Sequence, residues 1–390
     1  MITLKKTIAT ALSIVLCATL SLSTPAASGH AWADGEPGDE SYLIGFVQNW
    51  FSVDRYSTAK NKLCTPNDGV IVVSGENFPD TLSASGLAGL LDYGICYVQP
   101  TSLRDDVRDR INAGNVSNVI VIGGTSAVSD EVFNEIASLS NITSVTRIAG
   151  ADRFATSEAV YRYGQSVHGW SSDNAVVVSG TGFADAASIA GFAAAKAAPV
   201  FLADADGNLS DTTLARAEGY DRVLVAGGEA VVSKKAFDAI DAQTEAVRLG
   251  GADRYETSAK ITDYITSFGD VENGMGEFTY KELYIATGQN FPDALCYGVN
   301  EAVSARYHAK KDGVDLNNCS VVMIADNGHT SALLEQLNKV GIYCDEARTI
   351  PRFESVYFAD SVHFSNDTIW EIVEGFGCKA EPYPLGGEES

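Results

Sequence analysis

One stretch recurs three times, and its recurrence limits the folds open to this chain more than any other feature. It reads Ser74-Gly75-Glu76-Asn77-Phe78-Pro79-Asp80, then Ser179-Gly180-Thr181-Gly182-Phe183-Ala184-Asp185, then Thr287-Gly288-Gln289-Asn290-Phe291-Pro292-Asp293. Each copy follows a short apolar run (Val70 to Val73, Ala175 to Val178, Leu283 to Ala286) and precedes a stretch rich in small residues. A buried strand that enters a glycine turn and then a helix is half of a parallel βα unit. A second marker travels with the first: Asp54-Arg55-Tyr56, Asp152-Arg153-Phe154 and Asp253-Arg254-Tyr255. Successive copies lie roughly 100 residues apart, and two markers repeating in one order establish an internal triplication.

The rest of each repeat follows the same alternation. In repeats one and two a later strand ends in Gly123-Gly124 or Gly227-Gly228, and a helix then begins behind Ser129 or Ser233. In repeat two the small-residue helix is expected to run from Ala184 to Ala198, buried on most sides. Repeat three carries a polar insert, Lys310 to Asn318. There Val356 to Asp360 aligns with the strand-Gly-Gly segments, so that Ala359-Asp360 replaces the glycine pair. Strands alternating with helices predict an α/β chain of parallel sheets with helices on both faces, whose βα turns open on one edge, where such folds bind ligands. The expected organisation is a signal peptide over 1–33, a flexible leader over 34–45, repeat one over 46–148, repeat two over 149–249, and a divergent repeat three over 250–390.

The signal peptide is read from Lys5 and Lys6, the apolar core Ile8 to Leu22, and the small-x-small site Ala31-Trp32-Ala33. Export makes disulfides the expected state of cysteines beyond Cys17. Cys64, just before the strand at 70–73, and Cys96, in the next strand, fall at the same sheet edge if those strands are neighbours, so a Cys64–Cys96 bridge is predicted. No pairing is assigned to Cys296, Cys319, Cys344 and Cys378. The formal charge of −24 argues against nucleic acid or an anionic membrane surface as partner. An anionic ligand would need arginines gathered locally.

The pattern Arg-Ile-Ala-Gly-Ala-Asp-Arg-Phe at 147–154, the Phe-Ala-Asp turn, Pro199-Val200-Phe201-Leu202 and Val-Leu-Val-Ala-Gly-Gly at 223–228 resemble the cell-wall-binding repeat 2 family. The resemblance implies three tandem Rossmann-like or flavodoxin-like modules packed about a pseudo-threefold axis. It also implies an exported, Gram-positive envelope protein held noncovalently to an anionic, teichoic-acid-like wall polymer. The lost glycine pair and the insert of repeat three depart from the pattern of the other two.

Two readings stay open for each repeated residue. Arg55, Arg153 and Arg254 suit bidentate binding of phosphate or carboxylate, or else hold the repeats together by pairing with acids. Gly123, Gly124, Gly227 and Gly228 allow close approach of a ligand, or of packed backbone. Asp80, Asp185 and Asp293 stabilise a helix start, or accept hydrogen bonds from sugar hydroxyls. No cofactor or metal site is expected. His168, His308, His329 and His363 lie outside the repeated motifs, and no nucleophile elbow, zinc helix or Walker loop is present. Catalysis needs two differently tuned groups rather than three equal ones, so the chain is read as a binding protein. The alternative is a wall-modifying amidase or glycosidase, or the modifier subunit of such an enzyme.

Overall fold

The structure, a computed structural model, describes residues 29–30, 47–49, 54–113, 115–183, 185–266, 278–314, 316, 319–342, 355–358 and 364–375. The expected signal-peptide core, the leader at 34–45, Cys344, Cys378, Ala359-Asp360 and His363 lie outside them.

The strands are β1 (Gly29–His30), β2 (Val47–Asn49), β3 (Gly69–Ser74), β4 (Gly94–Val98), β5 (Asn118–Ile122), β6 (Ser144–Ile148), β7 (Asn174–Ser179), β8 (Val200–Ala203), β9 (Arg222–Ala226), β10 (Glu245–Leu249), β11 (Phe278–Thr287), β12 (Cys319–Ala325) and β13 (Ser355–Phe358). The helices are α1 (Arg55–Lys62), α2 (Phe78–Leu91), α3 (Asp105–Ala113), α4 (Asp130–Ala137), α5 (Arg153–Val167), α6 (Ala190–Ala195), α7 (Asp211–Ala217), α8 (Lys234–Asp241), α9 (Arg254–Thr266), α10 (Pro292–Asp312), α11 (Ser331–Ile342) and α12 (Asn366–Gly375).

They form three sheets in the orders β4-β3-β5-β6, β8-β7-β9-β10 and β12-β11-β13-β2-β1. Every pairing is parallel except β1 with β2. The central strands β3 and β7 are apolar along their length because both faces are covered; Val70 to Val73 and Ala175 to Val178 are all fully buried. This bears out the α/β fold with parallel sheets.

The sheets interlock cyclically. The strand before each Asp-Arg helix belongs to the preceding sheet: β6 leads into α5 and β10 into α9. The cycle closes at β2, which precedes α1 and pairs in parallel with β13, Tyr357 opposite Gln48. Val47–Asn49 opens the chain segment read as repeat one, yet it hydrogen-bonds into the third sheet. A local reading of the sequence has no means of finding a partner about 300 residues away.

At the centre α2, α6 and α10 pack against one another, close enough to require glycine. A Cβ on Gly86 would lie 1.9 Å from the Ala198 carbonyl oxygen, and one on Gly89 1.7 Å from that of Ala194. Asn300 of α10 reaches the open side of edge strand β4: its Oδ1 accepts from Ile95 N at 2.9 Å and its Nδ2 donates to Ile95 O at 3.1 Å. Buried Asp92, at the end of α2, receives Lys310 Nζ at 2.5 Å and Arg306 Nε at 3.3 Å, joining repeat one to repeat three.

Two expectations are corrected. The helix expected over Ala184 to Ala198 is helical only from Ala190, with turns over 185–189. Repeats one and three carry Pro79 and Pro292 in the first turn of their helices, where a fixed φ favours initiation. Repeat two has Ala184 at that position. The predicted Cys64–Cys96 bridge is absent, although β3 and β4 are neighbours as it required. Both are free thiols: Cys64 hydrogen-bonds with Ser304 of α10, while Cys96 is fully buried in β4. Backbone proximity did not decide where the two side chains point.

Candidate functional site

The Asp and Arg of each Asp-Arg pair do different jobs. The Asp is the helix cap. Asp54 accepts from Tyr56 N and Ser57 N, Asp152 from Ala155 N, and Asp253 from Tyr255 N and Glu256 N. The Arg, one residue later, reaches across its own repeat to the glycine turn. Arg55 Nη1 donates to Gly75 O and Arg153 Nη1 to Gly180 O, each at 2.6 Å, and Arg254 Nη1 donates to Gly288 O.

Each guanidinium also lies over a phenylalanine of the preceding repeat in the cycle. Arg55 sits 5.8 Å from the Phe291 ring centre, Arg153 5.7 Å from Phe78, and Arg254 5.8 Å from Phe183. The three rings make a nearly equilateral triangle, with centroids 6.0, 6.1 and 6.2 Å apart. Three arginines around three phenylalanines thus mark the pseudo-threefold axis, on the face where the βα turns open. Among the described residues the alternative of arginines paired with acids finds one partial instance, Arg55 with Glu76 at 3.7 Å.

A second arrangement lies within each of repeats one and two. Gly123 and Gly227 adopt φ of +117° and +110°, which only glycine takes cheaply. Their amides donate to Ile148 O and Leu249 O of the next strand. The second glycine of each pair is different: a Cβ on Gly124 or Gly228 would meet nothing within 4 Å. A carboxylate of the same repeat lies beside the first glycine of each pair. Asp80 Oδ2 lies 2.7 Å from a Cβ built on Gly123, and Asp185 Oδ2 2.9 Å from one on Gly227.

Those carboxylates are strained electrostatically. Burial pushes Asp80 up to about 6, a rise that Arg153 of the next repeat partly offsets. Burial likewise raises Asp185, opposed by a hydrogen bond from Thr257 and by the charge of Arg254. The structure thus groups Asp80, Gly123 and Arg153 at one seam and Asp185, Gly227 and Arg254 at the next. At the third seam Asp293 and Arg55 both act on the buried phenol of Tyr97.

Two residues escaped the sequence reading as site elements. Arg147 Nη1 donates to Gly123 O at 3.0 Å and Val128 O at 2.8 Å; Arg248 Nη1 donates to Gly227 O at 3.0 Å and Val232 O at 2.9 Å. They clamp the glycine-pair loops and lie over Phe133 and Phe237. The available signal was an arginine five residues before each of Asp152 and Asp253. In the third sheet the matching register position is Gln48, and Ala359-Asp360 replaces the glycines. The third repeat's sequence thus lacks both the arginine and the glycine pair. Among the described residues no cluster suited to a metal occurs, and no helix is long and apolar enough to cross a membrane.

A profile of cell wall binding domain 2 (CWB2) matches residues 51–133, 147–237 and 248–310. Among curated proteins, an N-acetylmuramoyl-L-alanine amidase, LytC, of Bacillus subtilis is 26% identical over 62% of this chain and 45% of its own. An amidase enhancer of the same species is 30% identical over 56% of this chain and 29% of its own. The chain thus spans less than half the length of either relative. Among solved structures, Cwp6 from Clostridium difficile superposes with a TM-score of 0.68 at 21% identity, over 92% of this chain and 52% of that one. Cwp8 from the same organism gives 0.64 at 21% identity, over 85% and 52%. These structures share the fold, and the profile covers most of the chain. The chain belongs to the cell wall binding domain 2 family and is a cell-wall-binding protein of the cell surface or extracellular space.

Proposed function

We propose that this chain is a secreted envelope protein that attaches noncovalently to an anionic secondary wall polymer through its three repeats. The observation that supports it is the cyclic set of Arg55, Arg153 and Arg254 around the Phe78-Phe183-Phe291 triangle, on the ligand edge of the sheets, in a chain of net charge −24. Half-buried guanidinium groups held by backbone carbonyls present fixed donors to phosphate or carboxylate. The open Gly124 and Gly228 positions leave backbone accessible beside them. A repeating polymer that engages more than one such seat gains by effective concentration.

The test is sedimentation of the purified mature chain with Gram-positive cell walls, before and after chemical removal of the anionic polymer. Co-sedimentation that disappears on stripping supports this reading. Equal binding to stripped walls refutes it. The second reading, a wall-modifying enzyme or its modifier, draws on the likeness to the amidase and the amidase enhancer. Those two relatives differ in named role while both match here, which favours a shared wall-attachment part over a shared reaction. Release of soluble saccharide or free amine from the same walls would establish the enzyme instead.

A further inference from the structure

Asp80 lies on the turn face, at the seam between repeats one and two. Its side chain belongs to a residue only 8% exposed, in the first turn of α2, and lies against Gly123. Among the described residues it has no hydrogen-bond donor. Arg153 is the charge that acts on it, yet the two form no ion pair; one Arg153 nitrogen, Nη1, donates to the Gly180 carbonyl and leaves the other donors of the guanidinium for a ligand. Glu76, in the turn before Asp80, is engaged by Tyr56 and Arg55. The loop on the other side, Gly123 to Ala127, carries no charged residue. A buried carboxylate without a donor is unfavourable. The equivalent residue at the next seam avoids that cost, since Asp185 receives the Thr257 hydroxyl. The two seams are alike in sequence but differ in whether the acceptor is already filled.

We propose that Asp80 and Arg153, facing one another across the seam between repeats one and two, form a two-point seat for a hydroxyl-bearing anion of the polyol-phosphate or sugar-phosphate class. Asp80 accepts a hydrogen bond from the ligand hydroxyl, and the Arg153 guanidinium donates to the phosphate. Gly124 is the floor of the approach, because no atom lies within 4 Å of where its side chain would be. The separation that denies Asp80 and Arg153 an ion pair is the space that a ligand carrying both groups fills. The corresponding carboxylate at the second seam is satisfied from within, so hydroxyl recognition is strongest at the first. This rests on the wall-polymer reading only for the chemical class of ligand.

The seat is tested by titrating the mature chain with sn-glycerol 3-phosphate and, separately, with inorganic phosphate, by calorimetry or by amide chemical shifts. Both probes offer an anion to Arg153, and only the first offers a hydroxyl. Wild type is expected to bind glycerol phosphate at least about tenfold more tightly than phosphate, the worth of one charge-assisted hydrogen bond. In Asp80→Ala, which removes the acceptor, the preference falls to within about threefold. Asp80→Asn, which keeps a weaker acceptor and the same shape, is intermediate. Equal affinity of the two probes in wild type, no binding of either, or a preference that survives in Asp80→Ala overturns the seat. Sedimentation with intact and polymer-stripped walls runs in parallel. Its failure refutes wall-polymer attachment while the titrations still report on Asp80 and Arg153.

Discussion

Replacing Asp80 by Asn should make the protein more stable at neutral pH and leave it nearly unchanged in acid. Burial in the seam raises the Asp80 carboxyl to about 6, against the 3.8 of a free side chain. At about 1.36 kcal/mol per tenfold change in proton affinity, the ionised native state is penalised by roughly 3 kcal/mol. The native carboxyl binds its proton more tightly than the unfolded one. Between about pH 4 and pH 6 the native state therefore holds more protons, and stability falls as pH rises through that window. Below the unfolded value both states are protonated and the contribution is fully present; above about 6 it is lost. Asn has the same shape and no charge to desolvate, but it forgoes the attraction of Arg153. A net gain of about 1–3 kcal/mol at pH 7.5 is the expectation, shrinking towards zero near pH 4. Urea unfolding of wild type and variant at both pH values measures it as a shift of midpoint at constant slope. A variant that is less stable than wild type at pH 7.5, or equally stabilised at both pH values, would refute the assignment of Asp80 as a desolvated, unpartnered carboxyl. A residue that costs the fold stability and still recurs in all three repeats calls for a role outside folding, and the proposed seat supplies one.

Gly123→Ala should destabilise by about 2 kcal/mol or more, since its φ is +117° and the new Cβ would press on Asp80 and Ala127. Gly124→Ala meets no atom and should change the unfolding midpoint little, while weakening wall sedimentation if ligand approaches there. Arg153→Ala removes the bond to Gly180 O and the contact with Phe78, at an expected cost of about 1–3 kcal/mol. A stability loss with wall binding unchanged would assign the arginine to the seam alone. Cys64 and Cys96 should be recovered unlinked in a non-reducing digest; native thiol labelling should reach half-buried Cys64 slowly and fully buried Cys96 only on unfolding.

The sequence alone determined the triplication, the parallel βα units and the edge on which ligand turns gather. Those are local properties: an apolar run of Val70 to Val73, a Gly-x-x-Phe turn and an Asp cap each specify their own geometry through nearest neighbours. It also singled out the three arginines, three carboxylates and two glycine pairs, because they recur. What each of them touches lies across its own repeat or in a neighbouring one, and no local pattern encodes it. Only the packed structure placed Arg153 over Phe78, set Asp80 against Gly123, and closed the ring by joining β2 to β13. It also turned Cys64 towards Ser304 when the strand neighbourhood alone pointed to Cys96. The physical reason is that a side chain's direction and its burial are fixed by all the elements packed around it, and at the seam those include elements far away in sequence.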